Sequence, residues 1–178
     1  MVLGAGTGEW GEWVYNTVKN DCDVILVEGD PNNIKILNEN YKDIKNAIIE
    51  PVVVSPSGGK VKFWVAPFGL VSSMDKDNVK KFLPEIEPEC IEVESKSVME
   101  IINDNVPTGF LDWIRIDLEG IDHEIIMNIN DEILKNISML IYENMNINDD
   151  QINEINEKLR KNGLTNIIKL GIDTVAIK

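Results

Sequence analysis

Val2-Leu3-Gly4-Ala5-Gly6-Thr7-Gly8 decides how the rest of the chain is read: a short apolar run breaks into glycines at every second position, and Glu9-Trp10-Gly11-Glu12-Trp13-Val14 follows. The apolar residues suit a strand covered on both faces, and the glycines permit positive φ and let a ligand touch backbone that a Cβ would block. The pattern is that of a buried strand turning sharply into a helix, whose first N–H groups are open to a polar or acidic ligand. Its spacing is G-x-G-x-G. In the dinucleotide fingerprint G-x-G-x-x-G the third glycine would fall at position 9, where this chain has Glu9. A nucleoside ligand without a pyrophosphate is the better expectation.

The second signal lies one strand further on. Asp23-Val24-Ile25-Leu26-Val27-Glu28 is an apolar run ending in an acid, and 28 − 8 puts that acid 20 residues beyond the last glycine. In a β-α-β unit this spacing brings a carboxylate beside the glycine turn, where it can accept hydrogen bonds from two ribose hydroxyls. Asp30 is the better helix cap, with Pro31 at the first helical position, so Glu28 is left for another role.

Composition narrows the class. A chain of 178 residues is read as one domain, able to bury roughly 70% of its unfolded surface without metals or disulfides. A net charge of −14 argues against a surface that tracks nucleic-acid phosphates or anionic membranes. No apolar run is long enough to span a bilayer and no cleavable leader is evident, so the cytoplasm is expected. Cys22 and Cys90 form no C-x-x-C and no His/Cys cluster, and are read as reduced thiols.

Only Met1 to Leu3 precede the turn, whereas a central strand usually takes five or six residues, so either the chain starts abruptly or residues precede Met1. A helix is expected over about 9–18, with Trp10, Trp13, Val14 and Val18 at helical spacing, and another from about Pro31 to Tyr41. A third strand begins within Asn46 to Glu50. Val52 to Val65 reads as two extended runs around a Pro/Ser/Gly turn, a hairpin-like excursion. Ala66 to Pro88 reads as a long loop, of the kind that forms lids or binding segments. Cys90 to Glu94 alternates as a strand, and Ser97 to Asn103 is a short helix leading to the connector Val106-Pro107-Thr108-Gly109.

The second centre is Leu111-Asp112-Trp113-Ile114-Arg115-Ile116-Asp117-Leu118-Glu119-Gly120, a mostly apolar strand ending in two acids and a glycine. In an open parallel sheet ligands gather outside the carboxyl ends of the strands, which places Asp117 and Glu119 in the same crevice as the glycine turn. Past it come a helix over about Ile121 to Leu134, broken near Asn130, a strand over Ile137 to Glu143, and a helix over about Asp149 to Lys161 ended by Gly163. Leu164 to Leu170 and Ile172 to Ile177 meet at Gly171 as a closing antiparallel hairpin. Alternating strands and helices with such a finish give a three-layer α/β sandwich.

Together these stretches resemble a class I S-adenosylmethionine-dependent methyltransferase, and within that class the FkbM family. The carriers are G-A-G-T-G-E-W (Gly4–Trp10), V-E-G-D-P (Val27–Pro31), V-S-P-S-G-G-K-V-K-F (Val54–Phe63), the serines Ser72-Ser73, and above all I-R-I-D-L-E-G-I-D-H-E-I-I (Ile114–Ile126), similar to the family's K-I-D-V-E-G-x-E. The resemblance continues through Leu140-Ile141-Tyr142-Glu143 to the hairpin. It implies one domain over 1–178 with a Rossmann-like, mostly parallel seven-stranded sheet. Three positions depart from the family pattern: Val2 stands where an acid is usual, Lys96-Ser97-Val98-Met99 replaces L-D-x-L, and Asp122 replaces Glu.

The resemblance further implies an O-methyltransferase acting on a sugar or other small hydroxylated metabolite, with S-adenosyl-L-methionine as cofactor. Its cofactor site would comprise Gly4, Ala5, Gly6, Gly8 and Trp10 on the methionine side, Glu28, Gly29 and Asp30 at the ribose, Val54 and Ser55 at the adenine, and Asp117. Asp117 is the first candidate for base or acceptor orienter, Glu119 the second, and His123, the only histidine, the third. Asp117 and Glu119 could hold a divalent cation, but no third ligand is evident and metal-free transfer is expected. The rival readings are a non-catalytic cofactor-binding relative and an NAD-type oxidoreductase; Glu9 and the closing hairpin disfavour the latter.

Overall fold

Strand β2 (Val24–Val27) is buried along its whole length, and successive residues serve different cores: Val24 and Leu26 pack with Val2, Leu37, Tyr41 and Ile44, while Ile25 and Val27 pack with Leu3, Ile114 and Ile116. Because side chains alternate along a strand, a sheet covered on both faces needs apolar residues at every position. That is why the central strands read as continuous apolar runs.

The computed structural model describes residues 1–8, 22–67, 71–106 and 110–178. In chain order the further strands are β1 (Val2–Leu3), β3 (Ala47–Glu50), β4 (Val53–Val54), β5 (Gly59–Val65), β6 (Glu89–Lys96), β7 (Trp113–Ile116), β8 (Met139–Glu143), β9 (Asn166–Leu170) and β10 (Asp173–Ile177). The described helices are α1 (Pro31–Tyr41), α2 (Lys76–Phe82), α3 (Val98–Asn105), α4 (Asp122–Asn128), α5 (Asp131–Asn136) and α6 (Asp149–Lys161). None of them is long and apolar enough to cross a membrane. The helix expected over 9–18, with Trp10 and its neighbours, and the connector at Pro107 to Gly109 lie outside the described residues.

The main sheet has seven strands in the order β3-β2-β1-β7-β8-β10-β9. β1 pairs in parallel with both β2 and β7, so the chain runs outward to β3 on one side of β1 and later restarts on its other side at β7. This reversal is the topological switch point at which α/β sheets open a crevice. β10 is antiparallel to β8 and β9 and closes the sheet. The α/β sandwich, the mostly parallel sheet and the terminal hairpin are therefore as expected.

Helix ends follow their capping residues. Asp30 accepts from the Asn32 amide at 2.7 Å with Pro31 behind it, and Asn130 accepts from Ile133 at 2.9 Å, dividing α4 from α5. Ser97, one of the departures from the family pattern, forms a capping box with Glu100 at the start of α3. Val2, another, is fully buried beside Ala5 and Leu26.

Two expectations fail. The runs around Pro56 do not pair with each other: β4 lies parallel to β6 on one side and β5 antiparallel to it on the other, as a separate three-stranded sheet. Gly58 (φ +69) and Gly59 (φ +87) swing the chain across, and Ser55 and Ser95 pin the crossing through a 2.8 Å hydroxyl contact. The stretch Ala66 to Pro88 is not one long loop, since Asp75 caps the seven-residue helix α2 within it. That helix buries only Asn78 and Val79, too little to leave an apolar period in the sequence.

Candidate active site

The glycine turn closes directly over the ends of β2 and β7. Gly4 and Ala5 both donate to the Val27 carbonyl, at 3.0 and 2.9 Å, and Gly4 (φ +80) passes so close to β7 that a Cβ would lie 1.8 Å from the Asp117 carbonyl oxygen. Gly6 (φ +55) is the opposite case. Among the described residues a Cβ there would meet nothing within 4 Å, so on that side the backbone at Gly6 leaves room for a ligand.

Glu28 anchors this turn. Its Oε2 accepts from the Gly6 amide at 2.6 Å and its Oε1 from the Asp30 amide at 2.7 Å. Burial, with the neighbouring Asp30 charge, pushes the carboxyl up to about 7 even though both amides favour its ionised form. The Asn33 side chain also bonds this carboxylate, so of its about four acceptor positions one is open, and a second incoming donor would displace Asn33.

At the end of β7 the chain folds around Asp122, whose carboxylate accepts from Leu118 at 3.2 Å and Gly120 at 3.4 Å. Asp122, the shortened acid of the family signature, is thus a buried brace beneath the loop, and burial pushes it up to about 7. Glu119 on top of that loop has φ +54, a left-handed conformation that costs a side-chain-bearing residue about 1–2 kcal/mol. Its carbonyl takes hydrogen bonds from Ser73 Oγ at 2.9 Å and Asn78 Nδ2 at 2.8 Å. Burial first, then the Glu143 and Asp117 charges, push its carboxyl up to about 8. Asp117 instead holds a cation, Arg115 Nη2 at 3.0 Å.

These groups meet in one cavity of about 340 Å3, lined among others by Gly4, Gly6, Glu28, Gly29, Val54, Asp117 and Glu119. Small-molecule sites run to roughly 300–1,000 Å3, so the volume suits a nucleoside-sized ligand. Phe63 and Met74 add apolar wall, and Thr7, Asn33 and Ser72 add polar edge.

The profile of the methyltransferase FkbM domain matches residues 3–164. The chain belongs to the FkbM methyltransferase family. Among curated proteins no significant match is found. Among solved structures it is similar to a methyltransferase FkbM from Methylobacillus flagellatus KT, with a TM-score of 0.65 and 13% identity, over 100% of this chain but 43% of that one. This chain therefore spans less than half the length of that relative. Two weaker likenesses are a Methanococcus jannaschii fibrillarin pre-rRNA processing protein (TM-score 0.46, 14% identity, 99% of this chain and 64% of that one) and a Geobacter metallireducens GS-15 precorrin-6y C5,15-methyltransferase (0.46, 14%, 99% and 78%).

Not every residue expected at an FkbM site reaches the cavity. Ala5 is buried behind the turn, and Gly8 abuts Tyr41 and Leu37. Asp30 is fully buried, bonded to Ser72 Oγ at 2.6 Å as well as capping α1. Ser55 spends its hydroxyl on Ser95 and on the Gly58 amide at 3.0 Å. Trp10 lies outside the described residues.

The structure sets His123 apart from these groups. Its Nε2 lies 2.8 Å from Glu154 Oε2 and its Nδ1 3.5 Å from Gln151, both on α6, because its position on α4 points it at the neighbouring helix and away from the strand ends. Asn78 and Glu143 were missed. Glu143 ends β8 as the acids near Glu119 end β7, so the strand-end rule reaches it. Asn78 left no signal, since a buried asparagine in a polar stretch reads as surface.

Proposed function

We propose that the chain is an S-adenosyl-L-methionine-dependent O-methyltransferase whose acceptor is a hydroxyl of a sugar or other small metabolite. The observation that carries this reading is the convergence of Gly6, Glu28, Asp117 and Glu119 on one cavity at the switch point of the sheet. The residues present fit the cofactor: bare backbone at Gly6, a buried acid beside it, and an excess of carboxylates that favours a cation. The backbone of Gly4, Gly6 and Thr7 would hold the methionine part, Glu28 the ribose hydroxyls, and Val54 the adenine side. When bound, the cofactor supplies an electrophilic methyl group on positively charged sulfur.

The chain's own task is then to orient an acceptor hydroxyl and remove its proton. Orientation of reacting groups is worth roughly 7–11 kcal/mol of barrier, and Phe63, Met74 and Val53 supply the apolar wall that excludes water. Of the two acids at the end of β7, Glu119 is the better proton acceptor. Asp117 is held by Arg115, whereas the Glu119 carboxyl is raised to about 8 and so binds a proton more strongly once ionised. A methyl-transfer assay across a panel of glycans and small hydroxylated metabolites tests this reading. Turnover that Glu119→Gln removes supports it; binding of S-adenosylhomocysteine without turnover on any acceptor returns the non-catalytic relative.

A further inference from the structure

The stretch from Ser72 to Asn78 carries polar side chains that reach both acidic loops flanking the cavity. Ser72 Oγ donates to Asp30 Oδ2 at 2.6 Å, next to Glu28, while Ser73 Oγ donates to the Glu119 carbonyl at 2.9 Å and accepts from the Asp75 amide at 3.0 Å. Asn78, only 7% exposed on α2, gives its Nδ2 both to that same carbonyl at 2.8 Å and to Glu119 Oε2 at 3.4 Å. One amide nitrogen has two hydrogens, so the two bonds can be made together. Neither Asn78 nor Ser73 lines the cavity.

We propose that Asn78 is the positioning residue for Glu119, with Ser73 as its partner: together they anchor the peptide after the left-handed Glu119, and Asn78 alone also reaches the carboxylate of this cavity-lining residue. The proposal rests on reading Glu119 as the proton acceptor. Anchoring the carbonyl fixes the strained backbone, and the second bond fixes the side chain and favours its ionised form. This opposes the charges that face Glu119 from the other elements: Asp117 after β7, Asp122 on α4 and Glu143 on β8, with Lys81 of α2 acting on Glu143. Without such a donor a carboxyl in this cluster would need a still higher pH to lose its proton and so to take one from an acceptor.

The test needs no acceptor substrate. The full chain is labelled with [5-13C]glutamate and titrated by NMR, the Glu119 resonance being assigned by its loss in Glu119→Gln. Asn78→Ala is expected to raise the Glu119 midpoint by about one unit, the scale of a lost hydrogen bond to a charged group. Asn78→Asp, which keeps the volume and adds a like charge, is expected to raise it further, and Ser73→Ala, which removes the bonds to the Glu119 carbonyl and from the Asp75 amide but none to the carboxylate, to move it much less. Equal small shifts in all three variants, or no shift in Asn78→Asp with S-adenosylhomocysteine binding retained, would overturn the proposal. A wrong choice of base shows separately, as methyl transfer that survives Glu119→Gln.

Discussion

The Gly6 amide donates to Glu28 Oε2 at 2.6 Å, so one hydrogen bond ties the glycine turn to the end of the second strand across 22 residues of sequence. The groups expected to hold the methionine and ribose parts of a cofactor are thereby a single unit.

Substitutions at the turn should separate folding from binding. Gly6→Arg is expected to fold, with a cost from its positive φ near 1 kcal/mol, and to lose S-adenosylhomocysteine binding because the side chain fills the open space. Gly4→Ala is expected to unfold or melt far lower, since its Cβ meets the Asp117 carbonyl in backbone that cannot yield. Thermal melts paired with calorimetry read both, and unchanged affinity in Gly6→Arg would refute the placement.

Stability should fall as pH rises. Glu28 and Asp122 are both pushed up to about 7 by burial, from 4.5 and 3.8. The folded chain keeps protons there that the unfolded chain releases. The stabilisation is full below the unfolded values and is lost as pH rises through about 7, by on the order of 2–4 kcal/mol per group at most. Melts between pH 4 and pH 8 should trace this decline, and Asp122→Asn should flatten it.

Glu119→Gln is expected to slow methyl transfer by about 10²–10⁴-fold while changing S-adenosylhomocysteine affinity little. Asp117→Asn, which releases Arg115 from its 3.0 Å partner, should also leave binding largely intact while slowing turnover. In wild type the rate should climb through about pH 8 as Glu119 ionises, and a flat profile would count against this base.

His123→Ala is expected to leave turnover unchanged. Its partner Glu154 is more than half exposed, so the loss in stability should stay near or below about 1 kcal/mol. A hundredfold loss of rate would restore the histidine to the mechanism.

The parts of the site that could be read from the sequence were local. The turn at Gly4–Gly8, the acid 20 residues on and the acids ending β7 each announce themselves within a few residues, and the rule that strand ends share a rim brings them together. What could not be read depends on partners distant in the chain. β4 and β5 looked like a hairpin because nothing near Pro56 reveals that β6 will lie between them. His123 looked available until Glu154 and Gln151, about thirty residues later, took both ring nitrogens. Asn78 was invisible because its meaning comes wholly from Glu119, 41 residues away.

A crystal structure of the chain with S-adenosylhomocysteine would locate the cofactor site. Ligand is expected in the cavity between Gly6 and Glu119, with both ribose hydroxyls within hydrogen-bond distance of the Glu28 carboxylate. Ligand seated elsewhere, or a Glu28 that touches no part of it, would refute the placement of the cofactor.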